Sequence, residues 1–181
     1  MRRLVLITML AVLFMATTAG AFDGLRKGFV LGGGLGVAAQ AEWSVDFLGF
    51  PVGEDGTGLG VNFIIGYGWD EQNMIVYEGN VAAWKGDISD ADIVQGFNGA
   101  AWYHYFGPVG KSFFTVGGLG AYIFHVDEYE ADPGFGFMVG AGYEFARHWQ
   151  AAVYFAKGKT EESPVEFDHQ HINILVSGVA F

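Results

Sequence analysis

Two histidines on one predicted strand are the first candidates for chemistry. His169 and His171 flank Gln170, and side chains two positions apart on a strand point to the same face, as a shared metal ion would require. No serine follows this pair in the spacing that a hydrolase nucleophile would need. The chain has no cysteine, which excludes disulfides, thiolate metal sites and a cysteine nucleophile. We expect no enzyme activity and no cofactor, with metal binding by the two histidines as a minor alternative.

Carboxylates are the second chemically active group. The chain has 20 Asp and Glu residues against nine Lys and Arg, and its net charge is −11. This balance argues against nucleic acid as a partner, because a phosphate-binding face needs clustered basic residues. The acidic run at 127–132 lacks the spaced Asp and Gly residues of an EF-hand loop. We expect solvated acidic loops, with loose binding of divalent cations left open.

The first residues have the pattern of a targeting segment. Arg2 and Arg3 precede an apolar run at 4–15, and Ala19-Gly20-Ala21 offers the small residues that a signal peptidase accepts. The apolar run is shorter than the roughly 20 residues that a membrane-spanning helix needs. We therefore predict a cleaved signal peptide at 1–21 and one domain at 22–181. That domain has seven basic and 20 acidic residues, so its net charge is −13.

Hydrophobic residues in the rest of the chain alternate with a period of two, which predicts strands. Short turns near 70–72, 107–110 and 146–148 alternate with longer acidic connections at 49–58, 86–91, 127–133 and 159–168. This alternation is typical of hairpins that close into an antiparallel barrel. The predicted strands cover residues 29–47, 59–69, 73–85, 92–106, 112–126, 134–145, 149–159 and 169–181.

The two faces of the predicted strands differ, and the difference indicates which solvent each one meets. One face has large apolar residues, and the other has glycine, alanine and polar residues. A narrow eight-stranded interior suits the smaller set, so the large residues should face lipid. We predict an eight-stranded antiparallel transmembrane β-barrel with a polar, partly hydrated lumen. Its lumen-facing polar candidates are Glu42, Asn62, Glu78, Asn80 and Glu144, with almost no basic partner in register.

Aromatic residues collect at the predicted strand ends, as they do at membrane interfaces. The belt on the short-turn side should contain Tyr67, Trp69, Tyr105, Phe106, Tyr143, Phe145, Trp149 and Phe181.

Three stretches resemble a known family. They are the glycine-rich opening strand from Gly28 to Gly36, the segment Gly140-Ala141-Gly142-Tyr143-Glu144-Phe145, and a last strand that ends in Phe181. They are similar to the small outer-membrane β-barrels of Gram-negative bacteria, the porin-like group that includes OmpX and the transmembrane domain of OmpA. The resemblance implies residence in the bacterial outer membrane, short turns that face the periplasm, and a lumen in which basic and acidic side chains pair.

The same resemblance implies partners. The barrel-assembly machinery would read a C-terminal signal formed by Leu175, Val179 and Phe181, and the inserted barrel would be a monomer in contact with outer-membrane lipid and lipopolysaccharide. Residues on the parity of Phe181 should point outward, and these include His169 and His171.

Three roles remain open at this point. The first is a structural or surface-interaction protein, with a small pore as an option. The second is an OmpW-like passage for small hydrophobic molecules, with a lumen lined by Ile64, Val94, Ile174 and Val176. The third is a soluble secreted β-barrel that binds an apolar ligand in its interior.

Overall fold

Nine strands form the protein in a computed structural model that describes residues 24–47, 50–86, 89–127, 129–162 and 165–181. The predicted signal peptide lies outside the described residues. None of the described residues forms a helix long and apolar enough to cross a membrane. The strands are β1 (Gly28–Phe47), β2 (Phe50–Gly68), β3 (Asn73–Lys85), β4 (Asp92–Tyr105), β5 (Ser112–Val126), β6 (Tyr129–Glu130), β7 (Asp132–Ala146), β8 (Trp149–Glu162) and β9 (Val165–Ala180).

Eight long strands close into one ring. Each pairs antiparallel with its neighbour in chain order, and the two-residue β6 pairs only with the end of β5. The ring closes where β1 pairs with β9, from Leu31 opposite Ala180 to Val45 opposite Phe167. Closure leaves no free sheet edge, so the backbone donors and acceptors are paired between strands as a lipid environment requires. The predicted eight-stranded antiparallel barrel is confirmed.

The outer wall has the apolar face. Leu35 and Leu119 are each 64% exposed and Phe113 is 68% exposed, which are extreme values for side chains of this kind. Exposed aromatics collect near the short turns, as predicted for a membrane interface. A soluble barrel would bury these side chains, so the soluble alternative is wrong. The exposed aromatics near the short turns are Tyr67, Trp69, Trp102, Phe106, Phe113, Tyr143, Phe145 and Trp149.

The interior is filled with aromatic rings as well as small residues, which differs from the expectation. Tyr105 and Phe181, predicted for the outer belt, are buried inside, as are Tyr103, Tyr122 and Tyr154. Glycines on facing strands make room for these rings. A Cβ atom on Gly158 would lie 2.5 Å from the Cβ of Tyr122, and one on Gly142 would lie 2.4 Å from the Cζ of Phe114. Glycine and aromatic positions therefore fill the lumen jointly.

The hairpins extend further than predicted at the end opposite the short turns. Most of the connection expected at 49–58 belongs to β2, whose Asp55 pairs with Glu42 of β1. Likewise β8 continues to Glu162 and β9 begins at Val165, inside the connection expected at 159–168. Polar residues reduce strand propensity, but pairing with an already formed partner strand overrides it. The acidic residues therefore lie largely on paired strands.

The first short turn is held by a single side chain. The Asp70 carboxylate accepts hydrogen bonds from the backbone N–H groups of Gln72 and Asn73, each at 2.7 Å, and from the Asn73 side-chain amide at 3.0 Å. These bonds stabilise the charged form, the Asn73 amide contributing most, so the pKa of Asp70 lies below its usual value. The turn leads directly into β3, as the predicted 70–72 turn requires.

The fit between glycine and aromatic ring predicts an asymmetric response to alanine. Gly158→Ala places a Cβ against the immobile Cβ of Tyr122, and we expect it to lower the free energy of unfolding by about 1–3 kcal/mol. Gly117→Ala is the matched control, because nothing lies within 4 Å of the added atom on the outer wall. Urea titration in detergent micelles, read as the loss of the fast-migrating unboiled band on a gel, measures both. Equal stability of the two variants would contradict this packing.

Candidate functional site

A buried carboxylate is the centre of the polar interior. Glu78 on β3 is fully buried, and its Oε2 accepts a hydrogen bond from the Tyr103 hydroxyl at 2.6 Å. Its Oε1 accepts from the side-chain amides of Asn62 at 3.2 Å and Asn80 at 3.4 Å. The Tyr103 hydroxyl also lies 3.3 Å from that of Tyr154. Burying a carboxylate is costly unless donors surround it, and here three strands supply them.

The network continues to the last strand. Ser177 donates to Asn62 at 3.1 Å, and Asn173 donates to Asn80 at 2.8 Å. His171 lies between Asn80 and Tyr122, with its Nε2 3.2 Å from the Asn80 Oδ1 and its Nδ1 2.7 Å from the Tyr122 hydroxyl. Because an amide oxygen only accepts, Nε2 must donate, and in the neutral ring Nδ1 then accepts the tyrosine proton. The network therefore ties β9 to β2, β3 and β5 across the lumen.

An arginine closes the lumen at the short-turn end. Arg26 precedes β1 and is fully buried, and its guanidinium lies 2.5 Å from the Glu144 carboxylate and 4.0 Å from the centroid of the Tyr105 ring. It also donates to the backbone carbonyls of Glu71 and Gly107, which belong to two of the short turns. Glu144 accepts a further hydrogen bond from the Gly110 N–H at 2.9 Å. Arg26 thus supplies the basic partner that the sequence analysis did not find on any strand.

Four of the five polar candidates lie inside the barrel. Asn62, Glu78 and Asn80 share the central network, while Glu144 lies apart from them at the short-turn end with Arg26. The prediction for Glu42 is wrong. A β-bulge between Ala38 and Ala41 shifts the register of β1. A shift by one residue turns every later side chain to the other face. Glu42 therefore lies on the outer wall, where its Oε2 accepts a hydrogen bond from the Gln170 side chain at 2.9 Å.

The orientation of β9 is also the reverse of the prediction, because the face expected to point outward points into the lumen. Leu175, Val179 and Phe181 are buried in the lumen, and the outward direction expected from the parity of Phe181 is wrong. His169 and His171 share that parity and are buried with them. The two rings do not converge on a metal, since no group of three potential ligands occurs among the described residues. The sequence showed which residues share a face but not that this mixed face packs inside.

Aromatic rings and one amide fill the far end of the lumen. The His169 ring stacks on Tyr122 with centroids 5.4 Å apart and lies 4.4 Å from the Phe124 centroid. Trp43, which follows the β-bulge of β1, packs with its ring centroid 5.8 Å from that of Phe124. Gln95 crosses the lumen from β4 and donates to the backbone carbonyl of Gln170 at 2.7 Å. Side chains therefore occupy this end of the lumen, among them His169, which was predicted to point outward.

The described residues leave no continuous water path through the middle of the lumen. Glu78, Asn80, Tyr103, Tyr105 and Tyr154 are all 0% exposed, so no water-sized space touches them. Side chains that line an aqueous channel would be accessible along its length. The predicted polar lumen is present, but tyrosine hydroxyls and amides fill its middle, where water was expected.

The lining proposed for passage of hydrophobic molecules is not present either. Ile64 is buried inside, but Ile174 and Val176 are about half exposed on the outer wall (51% and 48%). Val94 lies between the buried Ile93 and Gln95 on β4 and also belongs to the outer wall. The reversed face of β9 accounts for Ile174 and Val176. An apolar passage therefore lacks most of the residues on which that alternative depended.

The described residues define a class, the small eight-stranded β-barrel of the outer-membrane type. Among solved structures, the neisserial surface protein A, NspA, matches with a TM-score of 0.53 and 11% sequence identity, over 85% of this chain and 97% of that chain. Ail of Yersinia pestis matches with a TM-score of 0.51 and 13% identity, over 86% of this chain and 99% of that chain. Ail has also been solved in complex with the heparin analogue sucrose octasulfate.

These similarities show the fold. No family model matches the sequence, and no curated protein sequence matches it. The fold and the exposed apolar wall agree with the predicted location in the bacterial outer membrane. The resemblance inferred from the glycine-rich strands is confirmed at the level of architecture.

The pairing of Arg26 with Glu144 predicts a large effect of removing one partner. Arg26→Met leaves the Glu144 carboxylate buried without its cation, and we expect a loss of about 3–5 kcal/mol in the free energy of unfolding. The double change Arg26→Met/Glu144→Gln should recover part of that loss, because no buried charge remains. Lys27→Met is the control, since Lys27 is exposed next to Arg26. Urea titration in micelles compares these three variants with the wild type, and a double variant less stable than Arg26→Met would argue against the pair.

Proposed function

We propose that this chain is a non-conducting outer-membrane barrel that displays acidic hairpins and acts as a structural or surface-interaction protein without catalytic activity. The observation that carries the proposal is the filled lumen. Arg26 and Glu144 occupy one end, the Glu78 network occupies the middle, and aromatic rings with Gln95 occupy the other end. Because side chains fill the lumen, other molecules would bind to the wall and the hairpin ends of the barrel.

The hairpin ends have a strongly negative charge. Acidic side chains extend from every long hairpin, while the basic side chains at the same end are Lys85, Lys157 and Lys159. Two of these lysines are already paired, Lys85 with Asp90 and Lys159 with Glu166. The acidic side chains are Glu54, Asp55, Asp90, Asp92, Asp127, Glu130, Asp132, Glu161, Glu166 and Asp168.

This charge favours a cationic partner. Ail binds an anionic, sulfated heparin analogue, but the hairpin ends of this chain would repel such a ligand. A basic peptide or protein surface would instead meet complementary charge. Within the same proposal, the family resemblance supplies the partners of assembly and residence: the barrel-assembly machinery, outer-membrane lipid and lipopolysaccharide around a monomer.

The filled lumen predicts electrical silence. Purified barrel inserted into a planar lipid bilayer at neutral pH should give no stable current steps, because no water-sized space connects the two ends past Glu78. Insertion is verified independently by the fast-migrating unboiled gel band of the same proteoliposome sample. Reproducible steps of uniform size from protein with that folded band would overturn the non-conducting role.

The charge of the hairpin ends predicts selective adsorption of polycations. Barrel in neutral detergent micelles should bind fluorescent poly-lysine at low salt, lose it as salt rises, and leave heparin unbound. Asp127→Asn/Glu130→Gln should weaken poly-lysine binding about two- to tenfold, because like-sized polar side chains replace two exposed charges. Glu71→Gln changes an exposed charge at the short-turn end and serves as the control. Retention of heparin in place of poly-lysine would contradict the cationic partner.

A further inference from the structure

A polar hollow on the outer wall is not explained by the filled lumen. Its volume is about 250 Å³, and it lies outside strands β1, β8 and β9. Strand register places Glu42 opposite Gln170 and Gln170 opposite Lys157, so these three residues form one row across the wall. The residues that line the hollow are Glu42, Ser44, Lys157, Asp168, His169 and Gln170.

The hollow lies where the wall changes from apolar to polar. On β8 the outward residues Val153 and Phe155 are followed by Lys157, and on β9 the outward Ile172 is followed towards the same end by Gln170. Lys157 is eight positions from Trp149 of the aromatic belt. At ~3.3 Å per residue and a strand tilt of ~40° this separation is about 20 Å along the membrane normal, close to the ~25 Å height of an apolar band. The hollow therefore faces the lipid headgroup layer.

The hollow contains both signs of charge. Lys157 is exposed and has no carboxylate within ion-pair distance among the described residues, whereas Lys159 pairs with Glu166 and lies 3.8 Å from Asp168. Glu42 uses one oxygen, Oε2, to accept the hydrogen bond from Gln170. The hollow thus combines an ammonium group that pairs with no carboxylate of the described residues and a carboxylate that can accept further hydrogen bonds.

We propose that this hollow binds the zwitterionic headgroup of a lipid that has a phosphate and a primary amine. Lys157 binds the phosphate, and Glu42 with Asp168 accepts hydrogen bonds from the ammonium group. An anionic headgroup without an amine would place its phosphate near the carboxylates of Glu42 and Asp168 with no ammonium group of its own beside them, which opposes binding. The acyl chains then lie on the apolar wall formed by Phe155 and Ile172. This site goes beyond the proposed surface role and does not depend on it.

Lipid retention tests the site. Wild-type barrel is released from nanodiscs of equal parts phosphatidylethanolamine and phosphatidylglycerol, and native mass spectrometry counts the lipids that stay bound. We expect a preference for phosphatidylethanolamine of about fivefold, the size of one exposed charge-assisted contact. Lys157→Gln should reduce retention of both lipids, because the phosphate contact is lost. Glu42→Gln should weaken the preference, because one of the two carboxylates that accept from the ammonium group is lost, and should keep the phosphate contact.

Lys85→Gln is the matched control, because Lys85 is an outward lysine on the distant strand β3 and is paired with Asp90. It should retain both lipids like the wild type, and the unboiled gel band shows that every variant is folded. Equal retention of the two lipids by the wild type, or retention of neither, would overturn the site. A loss in Lys85→Gln as large as that in Lys157→Gln would also overturn it.

Discussion

The pairing of β1 with β9 is the constraint on which the structure depends. It converts a sheet of hairpins into a ring, and a ring is the form in which strands satisfy their backbone hydrogen bonds within lipid. Once the ring is closed, one face of every strand contacts lipid and the other face lines a narrow interior. The bulge between Ala38 and Ala41 occurs in this seam. It reverses the side-chain orientation over the last third of β1, so Trp43 points into the lumen and Glu42 points outward.

A narrow closed interior then has to be filled and its polar groups satisfied. The interior tyrosines contribute to both, because their rings occupy volume and their hydroxyls form hydrogen bonds with Glu78, Gln150 and His171. Glycines opposite these rings supply the space, as Gly158 does for Tyr122. The central carboxylate in turn gives the amides and hydroxyls around it a common acceptor. The same side chains therefore pack the lumen and form its hydrogen bonds. A channel through the lumen would require both the packing and these hydrogen bonds to be lost.

With the lumen filled, the surfaces that can engage other molecules are the wall and the two ends. The short-turn end is closed by Arg26, which links two turns to Glu144. The opposite end extends as acidic paired strands, and the wall beneath it changes to polar residues at Lys157 and Gln170. These surfaces differ in charge and in the solvent that they meet. The proposed cationic partner would therefore bind the acidic hairpin end, and the proposed lipid headgroup would bind the wall beneath it.

The sequence alone determined the eight strands of the barrel, the short turns and the lipid-facing aromatics such as Trp69 and Trp149, because these depend on local periodicity and turn chemistry. It also identified Asn62, Glu78, Asn80 and Glu144 as inward residues. Only the tertiary structure decided the side on which Glu42, His169 and His171 lie and that Arg26 pairs with Glu144. Periodicity separates two faces without showing which one is inside, and a bulge inverts the assignment within one strand. Arg26 and Glu144 are 118 residues apart, and barrel closure alone brings them together.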